Sequence, residues 1–243
     1  MKVALNIDSR LRNPIYSNSN SFTIELSRPM NDVKSIELIS CEIPISYYNV
    51  NTNNNKLVIR ENGAVGNLII ATIQGAYTAS NYATQLQIDL NSGTTRGYVY
   101  SVSYNKNQNS ITISSNNTFQ MISATNCHTL IGYNNITTAL ANTWVSTNAC
   151  DFAGERYVCL KIDNVPFLQH SSDNNYFAKI QVSDIQNSIM FSGVYNTYQQ
   201  KKDISSSNYV LSRLNLSLCY YDGTLVDLRG LDYSITLLVD CES

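Results

Sequence analysis

The sequence predicts an all-β protein built as an antiparallel sandwich, and three observations support that prediction. Segments near both ends alternate apolar and polar residues with a period of two, which is the pattern of half-buried strands. Long stretches rich in Asn, Ser and Thr separate these segments and are typical of loops. Only one segment has apolar residues at convincing helical spacing. At 243 residues the chain is long enough to bury a large β core.

The strand pattern recurs along the whole chain. In the second such segment Phe22, Ile24 and Leu26 share one face, while Thr23 and Glu25 share the other. Because the first and last segments are both strands, we expect them to pair within one body. The predicted strands cover residues 3–7, 21–26, 33–43, 56–60, 67–73, 98–104, 110–114, 156–162, 177–182, 188–192, 209–220 and 233–239.

The third strand carries a conflict in its alternation. Ile36 and Leu38 set a register that Cys41 and Ile43 cannot share. One extra residue near Ile39–Ser40 would reconcile them, because a β-bulge moves the following side chains to the other face. The sequence therefore predicts a bulge at this point.

The predicted helices are few and short. One covers residues 79–91, with Thr78 or Ser80 as a cap, Gly93 after its end, and apolar residues at Ala79, Ala83, Leu86 and Leu90. A helical turn at 127–130 is closed by Gly132. Asn49–Asn55 and Ile136–Asn148 are expected to be loops. With no internal repeat, this pattern predicts a single jelly-roll antiparallel β-sandwich with one or two short helices in its loops. We expect one domain over residues 1–243.

The charge content excludes several function classes. Charged residues make up 14% of the chain, against about 25% in typical soluble domains, and the net charge is −2. No basic run exceeds Lys201–Lys202, so we expect no direct binding of nucleic acid and no docking on anionic lipid. The polar, weakly charged surface offers little long-range repulsion between copies.

The chain has no predicted targeting or disulfide framework. Its start turns polar at Asn6 and Asp8 before a signal-peptide core can form, and its apolar runs are too short to span a bilayer. We therefore expect a cytosol-like compartment. No C-x-x-C pair occurs, so the expected state is free thiols, with three disulfides as the alternative. The cysteines are Cys41, Cys127, Cys150, Cys159, Cys219 and Cys241.

Candidate catalytic residues are sparse. The chain has two histidines, His128 and His170, which is too few for a His-rich metal site. Cys127 beside His128 suggests a thiol nucleophile, but sequence neighbours rarely form such a pair. We expect a packed cysteine at a helix end instead.

The carboxylates give no clear site either. Those near the C-terminus could form the pair that a glycosidase needs, but turn and strand-flanking roles explain them better: Asp222, Asp227, Asp232, Asp240 and Glu242. Asp173-Asn174-Asn175 is only a fragment of a calcium loop, and no glycine-rich phosphate loop is present. We therefore expect no enzyme, no catalytic or metal site and no cofactor.

A carbohydrate-binding or receptor-binding sandwich is the main alternative. Trp144 or an exposed tyrosine could stack on a sugar ring, the tyrosine candidates being Tyr47, Tyr48, Tyr195 and Tyr198. The competing interpretation is that Tyr47 and Tyr48 end a strand and that Trp144 anchors a loop. Three Asn-x-Ser/Thr matches are expected by chance in so Asn-rich a chain, at Asn116, Asn135 and Asn215.

Several motifs resemble one known group of proteins. They run in order from Ile7-Asp8-Ser9-Arg10 through the Phe22 strand, Ile36-Glu37-Leu38, Ile43-Pro44, Gly75-Ala76-Tyr77-Thr78 and Leu130-Ile131-Gly132-Tyr133 to Leu211-Ser212-Arg213-Leu214, Asp222-Gly223 and Leu231-Asp232-Tyr233-Ser234-Ile235. This series resembles the jelly-roll penton and minor capsid proteins of large eukaryotic DNA viruses and their virophages. Each motif is loose, but their order and spacing are specific and span nearly the full length. Tyr133 departs from the Phe expected there.

The resemblance implies a structural virion protein. One jelly roll per subunit suits a homopentamer at the fivefold vertices of an icosahedral double-stranded DNA virus, with a minor or cementing position as the alternative. It also implies the major capsid protein of the same virus as a partner, with a spike or another minor capsid protein as a further one. The expected location is the virion, assembled in the host cytoplasm or virus factory.

Overall fold

The computed structural model describes residues 1–163, 165, 168–169, 174–182, 189–193, 200–204 and 208–242. It divides into two compact units. We call Met1–Tyr47 with Glu155–Ser243 the sandwich unit, and Tyr48–Gly154 the inserted unit. The expectation of one domain over residues 1–243 remains a prediction, because the division into two compact units does not determine whether the units unfold together.

The described residues contain sixteen strands, two α-helices and a short 3₁₀ turn at Ser9–Leu11. The helices are α1 (Ala79–Gly93) and α2 (His128–Ile131). The strands are β1 (Lys2–Asp8), β2 (Ser21–Met30), β3 (Val33–Pro44), β4 (Lys56–Glu61), β5 (Leu68–Ala71), β6 (Tyr100–Asn105), β7 (Ser110–Met121), β8 (Ala141–Val145), β9 (Tyr157–Ile162), β10 (Leu168–Gln169), β11 (Asn175–Tyr176), β12 (Ala178–Gln181), β13 (Ile189–Gly193), β14 (Gln200–Asp203), β15 (Leu211–Cys219) and β16 (Ser234–Cys241).

The sandwich unit contains two large antiparallel sheets and the separate two-stranded pair β10-β11. One has the order β1-β16-β3-β13, with β14 also paired to β3, and the other has the order β12-β9-β15-β2. The chain crosses between these sheets repeatedly, and only the pairs β9 with β12 and β13 with β14 follow one another in the same one of these two sheets. This is the strand order of a jelly roll. The predicted fold class is confirmed.

The first and last strands pair along their whole length. The register runs from Lys2 opposite Asp240 to Asp8 opposite Ser234. Ile7 and Ile235, which face each other in this pair, are each 1% exposed. The predicted pairing of the two ends is confirmed.

The bulge predicted in β3 is present. Ser40 lies opposite Thr236 and Leu38 lies opposite Leu237, so Ile39 has no opposing residue in β16. The extra residue lets Ile36 and Cys41 both reach the core although five positions separate them. Both sheets contribute to that core, in which Phe22 packs against Tyr233 with ring centroids 5.9 Å apart.

The inserted unit has its own core, formed by one sheet and α1. The sheet has the order β5-β4-β7-β6, with β8 also paired to β7. The Thr78 hydroxyl accepts a hydrogen bond from Asn81 N and caps α1 as predicted. The buried face of α1 carries Tyr82, Ala83, Leu86 and Leu90. Both predicted helices are confirmed, with shifted bounds. The helix α1 ends two residues later than expected and includes Gly93, and α2 begins and ends one residue later than expected. Neither is long and apolar enough to cross a membrane.

One prediction about the inserted unit was wrong. The segment Ile136–Asn148, expected to be a loop, contains β8, because pairing with β7 stabilises a strand that lacks apolar alternation. The composition also changes at the unit boundaries. Only seven of the 107 residues from 48 to 154 are charged, against 27 of the other 136.

We expect deletion of residues 1–8 to destabilise the protein strongly. The deletion leaves one edge of β16 unpaired and removes Ile7, whose burial alone is worth roughly 1.5–3 kcal/mol. Thermal unfolding followed by circular dichroism measures the effect. The control is Lys2→Ala, which truncates an exposed side chain of the same strand. An unchanged melting temperature for the deletion would disprove the structural role of β1.

Candidate functional site

Cys127 and His128 do not form a catalytic pair. The Cys127 side chain is fully buried, and its burial raises the thiol pKa to about 12. The thiol therefore stays protonated at neutral pH and is a poor nucleophile. His128 Nδ1 lies 3.1 Å from the Thr125 carbonyl oxygen. His170 lies outside the described residues. Cys127 is a core residue at the start of α2.

The C-terminal carboxylates have separate structural partners. Asp222 accepts hydrogen bonds from Thr224 N (3.0 Å) and Thr224 Oγ1 (2.7 Å), and these contacts lower its pKa. Asp227 accepts a bond from Arg229 N at 2.8 Å. Glu242 pairs with Lys34, and Asp240 lies 3.8 Å from the N-terminal amine. Each carboxylate stabilises its own turn or strand end.

No metal centre is evident in the part of the chain that the structure describes. Within it, no group of three or more His, Cys, Asp or Glu side chains is placed to hold an ion. Asp173, from the calcium-loop fragment, lies outside the described residues, and its neighbour Asn175 belongs to the β10–β11 hairpin.

The aromatic residues considered for sugar stacking are held by the protein itself. Trp144 is half-buried, and its indole N–H donates to the Phe119 carbonyl at 3.3 Å. Tyr47 is 3% exposed and packs edge-on against Tyr220, with ring centroids 5.9 Å apart. Tyr48 is half-buried, while Tyr195 and Tyr198 lie outside the described residues. Tyr47 is therefore unavailable for stacking on a sugar, and Trp144 has its indole N–H bonded within the protein.

The inserted unit has a cleft of about 270 Å³, which we call the polar cleft because most of its lining residues are polar types. It lies beside α2 and is lined by His128, Tyr133 and three asparagines, Asn134, Asn135 and Asn148, among others. Asn148 Nδ2 donates to Asn134 Oδ1 at 2.9 Å, so part of the amide capacity is already used. Among the Asn-x-Ser/Thr matches, Asn135 lines this cleft. Asn116 and Asn215 instead accept bonds from Val99 N and Thr23 Oγ1.

The two terminal motifs of the sequence meet in a hydrogen-bonded network that we call the terminal clasp, formed by Ser9, Arg12, Asp232 and Tyr233. The fully buried Ser9 hydroxyl donates to Asp232 Oδ1 at 2.8 Å and accepts from Tyr233 N at 2.9 Å. Arg12 Nη1 donates to the same Asp232 oxygen and to the Ser9 carbonyl, at 2.5 and 2.7 Å. The sequence shows both motifs but does not predict their contact, because Ser9 and Asp232 lie 223 positions apart.

All six cysteines are buried free thiols in the structure. Burial raises the pKa of Cys150 and Cys219, and raises that of Cys159 to about 11. Cys159 and Cys219 lie directly opposite each other on β9 and β15. These cysteines act as small apolar residues of the core.

Comparisons with known proteins place the fold. No family model and no curated protein matches the sequence. Among solved structures, the chain is similar to the crystal structure of a mavirus penton protein, with a TM-score of 0.52. The match covers 100% of both chains at 14% sequence identity. At this identity the likeness shows a shared fold.

We expect Ser9→Ala to destabilise the protein by about 1–3 kcal/mol, because it leaves the buried Tyr233 N–H without its acceptor. Denaturant unfolding measures the change. Ser212→Ala, at an exposed position of β15, is the matched control and should have little effect. Equal free energies of unfolding for the two variants would rule out the terminal clasp as a stabilising network.

We expect the thiols to resist alkylation in the native protein at pH 8 and all six to react after denaturation without reductant. All six thiols are buried, and burial also raises the pKa of Cys127, Cys150, Cys159 and Cys219, so little accessible thiolate is present in the folded state. Intact mass after iodoacetamide treatment counts the adducts. Adducts missing in pairs from the denatured sample would instead indicate disulfides.

Proposed function

We propose that this chain is a structural virion protein, the penton subunit at the fivefold vertices of an icosahedral double-stranded DNA virus capsid. The observation that carries the proposal is the full-length likeness in fold to a penton protein. Because the match covers all of both chains, it includes the inserted unit as well as the jelly roll. The motifs at the two ends support the same assignment, and in the structure they form the terminal clasp.

Five copies around an axis give a single jelly roll its function. One subunit cannot enclose a volume, so its role depends on repetition. In a cyclic ring, one surface of each copy meets a different surface of the next, and the ring closes without free ends. Because the chain carries few charges, few charges need to be desolvated when such contacts form. Asn side chains, through hydrogen bonds, and Tyr side chains, through aromatic packing, can therefore form the contacts.

The further partners in this proposal are other proteins of the same virion. Contacts with the major capsid protein reinforce the ring through multivalency, so each contact can be modest. A spike or another minor capsid protein is a further partner at the vertex. The protein is located in the virion after assembly in the host cytoplasm or virus factory, and the proposal includes no catalytic role.

A minor or cementing position beneath the shell is the closest alternative, since it uses the same fold. Glycan binding as the main role has less support, because Trp144 and Tyr47 are committed to contacts within the protein. The polar cleft beside α2 would then be the place to look for a bound sugar.

We expect the purified protein to form a homopentamer that is concentration-dependent in isolation and stable within the shell. Sedimentation velocity over a wide concentration range measures the first property. Reconstruction of the source virion measures the second, and should show five copies at each vertex. Trimers on the facets, or absence from the virion, would overturn the proposal. A stable monomer that binds glycans would favour the alternative role.

A further inference from the structure

The sheet of the inserted unit has two open edges, and every residue from 48 to 154 is described. Strands β5, β4, β7 and β8 follow one another across the sheet, so β5 and β8 are its outer strands. Strand β6 lies on the same side of β7 as β4, and side chains of α1 cover its free edge. Asn91 bonds both N and O of Tyr100 at 2.8 Å, and Gln87 accepts from Val102 N at 2.9 Å.

The backbone of β5 is unpaired on its outer side. Thr72 N donates to the Asn55 carbonyl next to β4, so by alternation Ile70 also faces β4. Ile69 and Ala71 therefore turn their N–H and C=O groups outward. Within the inserted unit, these outward groups have no hydrogen-bond partner.

The backbone of β8 is open in the same way. Ser146 N donates to the Ile111 carbonyl, so by alternation Trp144 faces β7. Thr143 and Val145 lie between these positions and turn their backbone groups to the outer side. No hydrogen bond within the inserted unit satisfies them.

Neither edge is protected by charge. No charged residue occurs from 62 to 88, around β5, or from 129 to 150, around β8. Exposed aliphatic side chains lie along each segment: Val65, Ile69, Ile73 and Ile88 on the first, and Ile136, Leu140 and Val145 on the second. Edge strands of stable monomers normally carry charges or proline. Four outer strands of the sandwich unit follow that rule, β1, β2, β12 and β14, with Lys2, Arg28, Pro29, Lys179, Lys201 and Lys202, whereas β13 does not.

We propose that β8 of one copy pairs with β5 of the next, so that the sheets of the inserted units join edge to edge around the ring. This inference rests on the proposed homopentamer and assigns one of its contacts. The occupant is a second copy of this chain, because one chain carries both uncharged edges and neither requires a charge to be buried. A contact between two different edges is heterologous, as a closed cyclic ring requires.

The strand directions agree with this pairing. Each neighbouring pair from β5 through β4 and β7 to β8 is antiparallel, so β5 and β8 run in opposite directions. Rotation about an axis along the strands preserves these directions, and the new pair is therefore antiparallel. Ile69 and Val145, which are 62% and 49% exposed, supply apolar area at the two edges.

Lysine substitutions at the two edges test the contact. Ile69→Lys places a charge on the β5 edge, and Val145→Lys places one on the β8 edge. We expect each variant to lose the pentamer in sedimentation velocity while keeping the wild-type melting temperature. Ala71→Pro removes one outward N–H without adding charge and should weaken assembly in the same direction. The matched control is Ser103→Lys, an exposed position on the covered strand β6, which should assemble like wild type.

Mixing the variants tests the direction of the contact. An equal mixture of Ile69→Lys and Val145→Lys retains one intact β8 edge and one intact β5 edge, so a heterodimer is expected at high concentration. Dimers of Val145→Lys alone would mean that β5 pairs with itself and would overturn the head-to-tail contact. If wild type and both lysine variants form pentamers, the edge contact is wrong while the penton function stands. If wild type and Ser103→Lys stay monomeric and the virion lacks the protein at its vertices, the proposed function fails.

Discussion

The pairing of β1 with β16 is the contact on which the sandwich unit depends. Strand β16 lies between β1 and β3, so its sheet is complete only when the last strand of the chain has joined the first. The terminal clasp holds the same two ends of the chain together, through the hydrogen bond from the Ser9 hydroxyl to the Asp232 carboxylate. Contacts over such separations slow folding, because the loop they close must be ordered first. The 107-residue insertion adds little to this cost, since closure entropy grows only with the logarithm of loop length. Tyr47 also bridges the two ends of the insertion, as its hydroxyl donates to the Glu155 carbonyl at 3.3 Å.

The two units differ in the kind of polar residue that they carry. The sandwich unit carries 27 of the 34 charged residues, including the lysines on its outer strands. The inserted unit depends on Asn, Ser and Thr, which hydrate well but repel neither each other nor another copy. Within it, amide side chains satisfy backbone groups where a strand would otherwise be open, as Asn91 and Gln87 do for β6. Where this protection is missing, at β5 and β8, the exposed side chains include the aliphatic Ile69 and Val145. The open edges therefore differ from the charged outer strands β1, β2, β12 and β14 of the sandwich unit.

Local patterns in the sequence predicted the local features. The bulge at Ile39 was predictable because a break in two-residue alternation is a property of adjacent residues. The helix α1 was predictable for a similar reason, because apolar residues that recur with a period of 3.6 are a property of nearby residues. Strand β14 was not, since Gln200, Lys201 and Lys202 read as a polar run and form a strand only beside β3. The clasp and the open edges depend on which strands become neighbours or outer strands, and alternation does not specify this. The charge depletion from 48 to 154 was present in the sequence and would have marked the inserted unit.

The uneven charge distribution also separates the kinds of contact that this protein can make. Ion pairs between exposed groups weaken as salt is added, because the Debye length falls to about 3 Å at 1 M ionic strength. Apolar and backbone contacts between uncharged edges do not weaken in this way when salt is added. Salts that are excluded from the protein surface, such as sulfate, strengthen the burial of apolar groups. Contacts made through β5 and β8 should therefore persist at high salt, whereas contacts made through the charged strands of the sandwich unit should not. Added salt would then maintain or strengthen self-association through the inserted unit. It would weaken attachment to a charged neighbour through the sandwich unit.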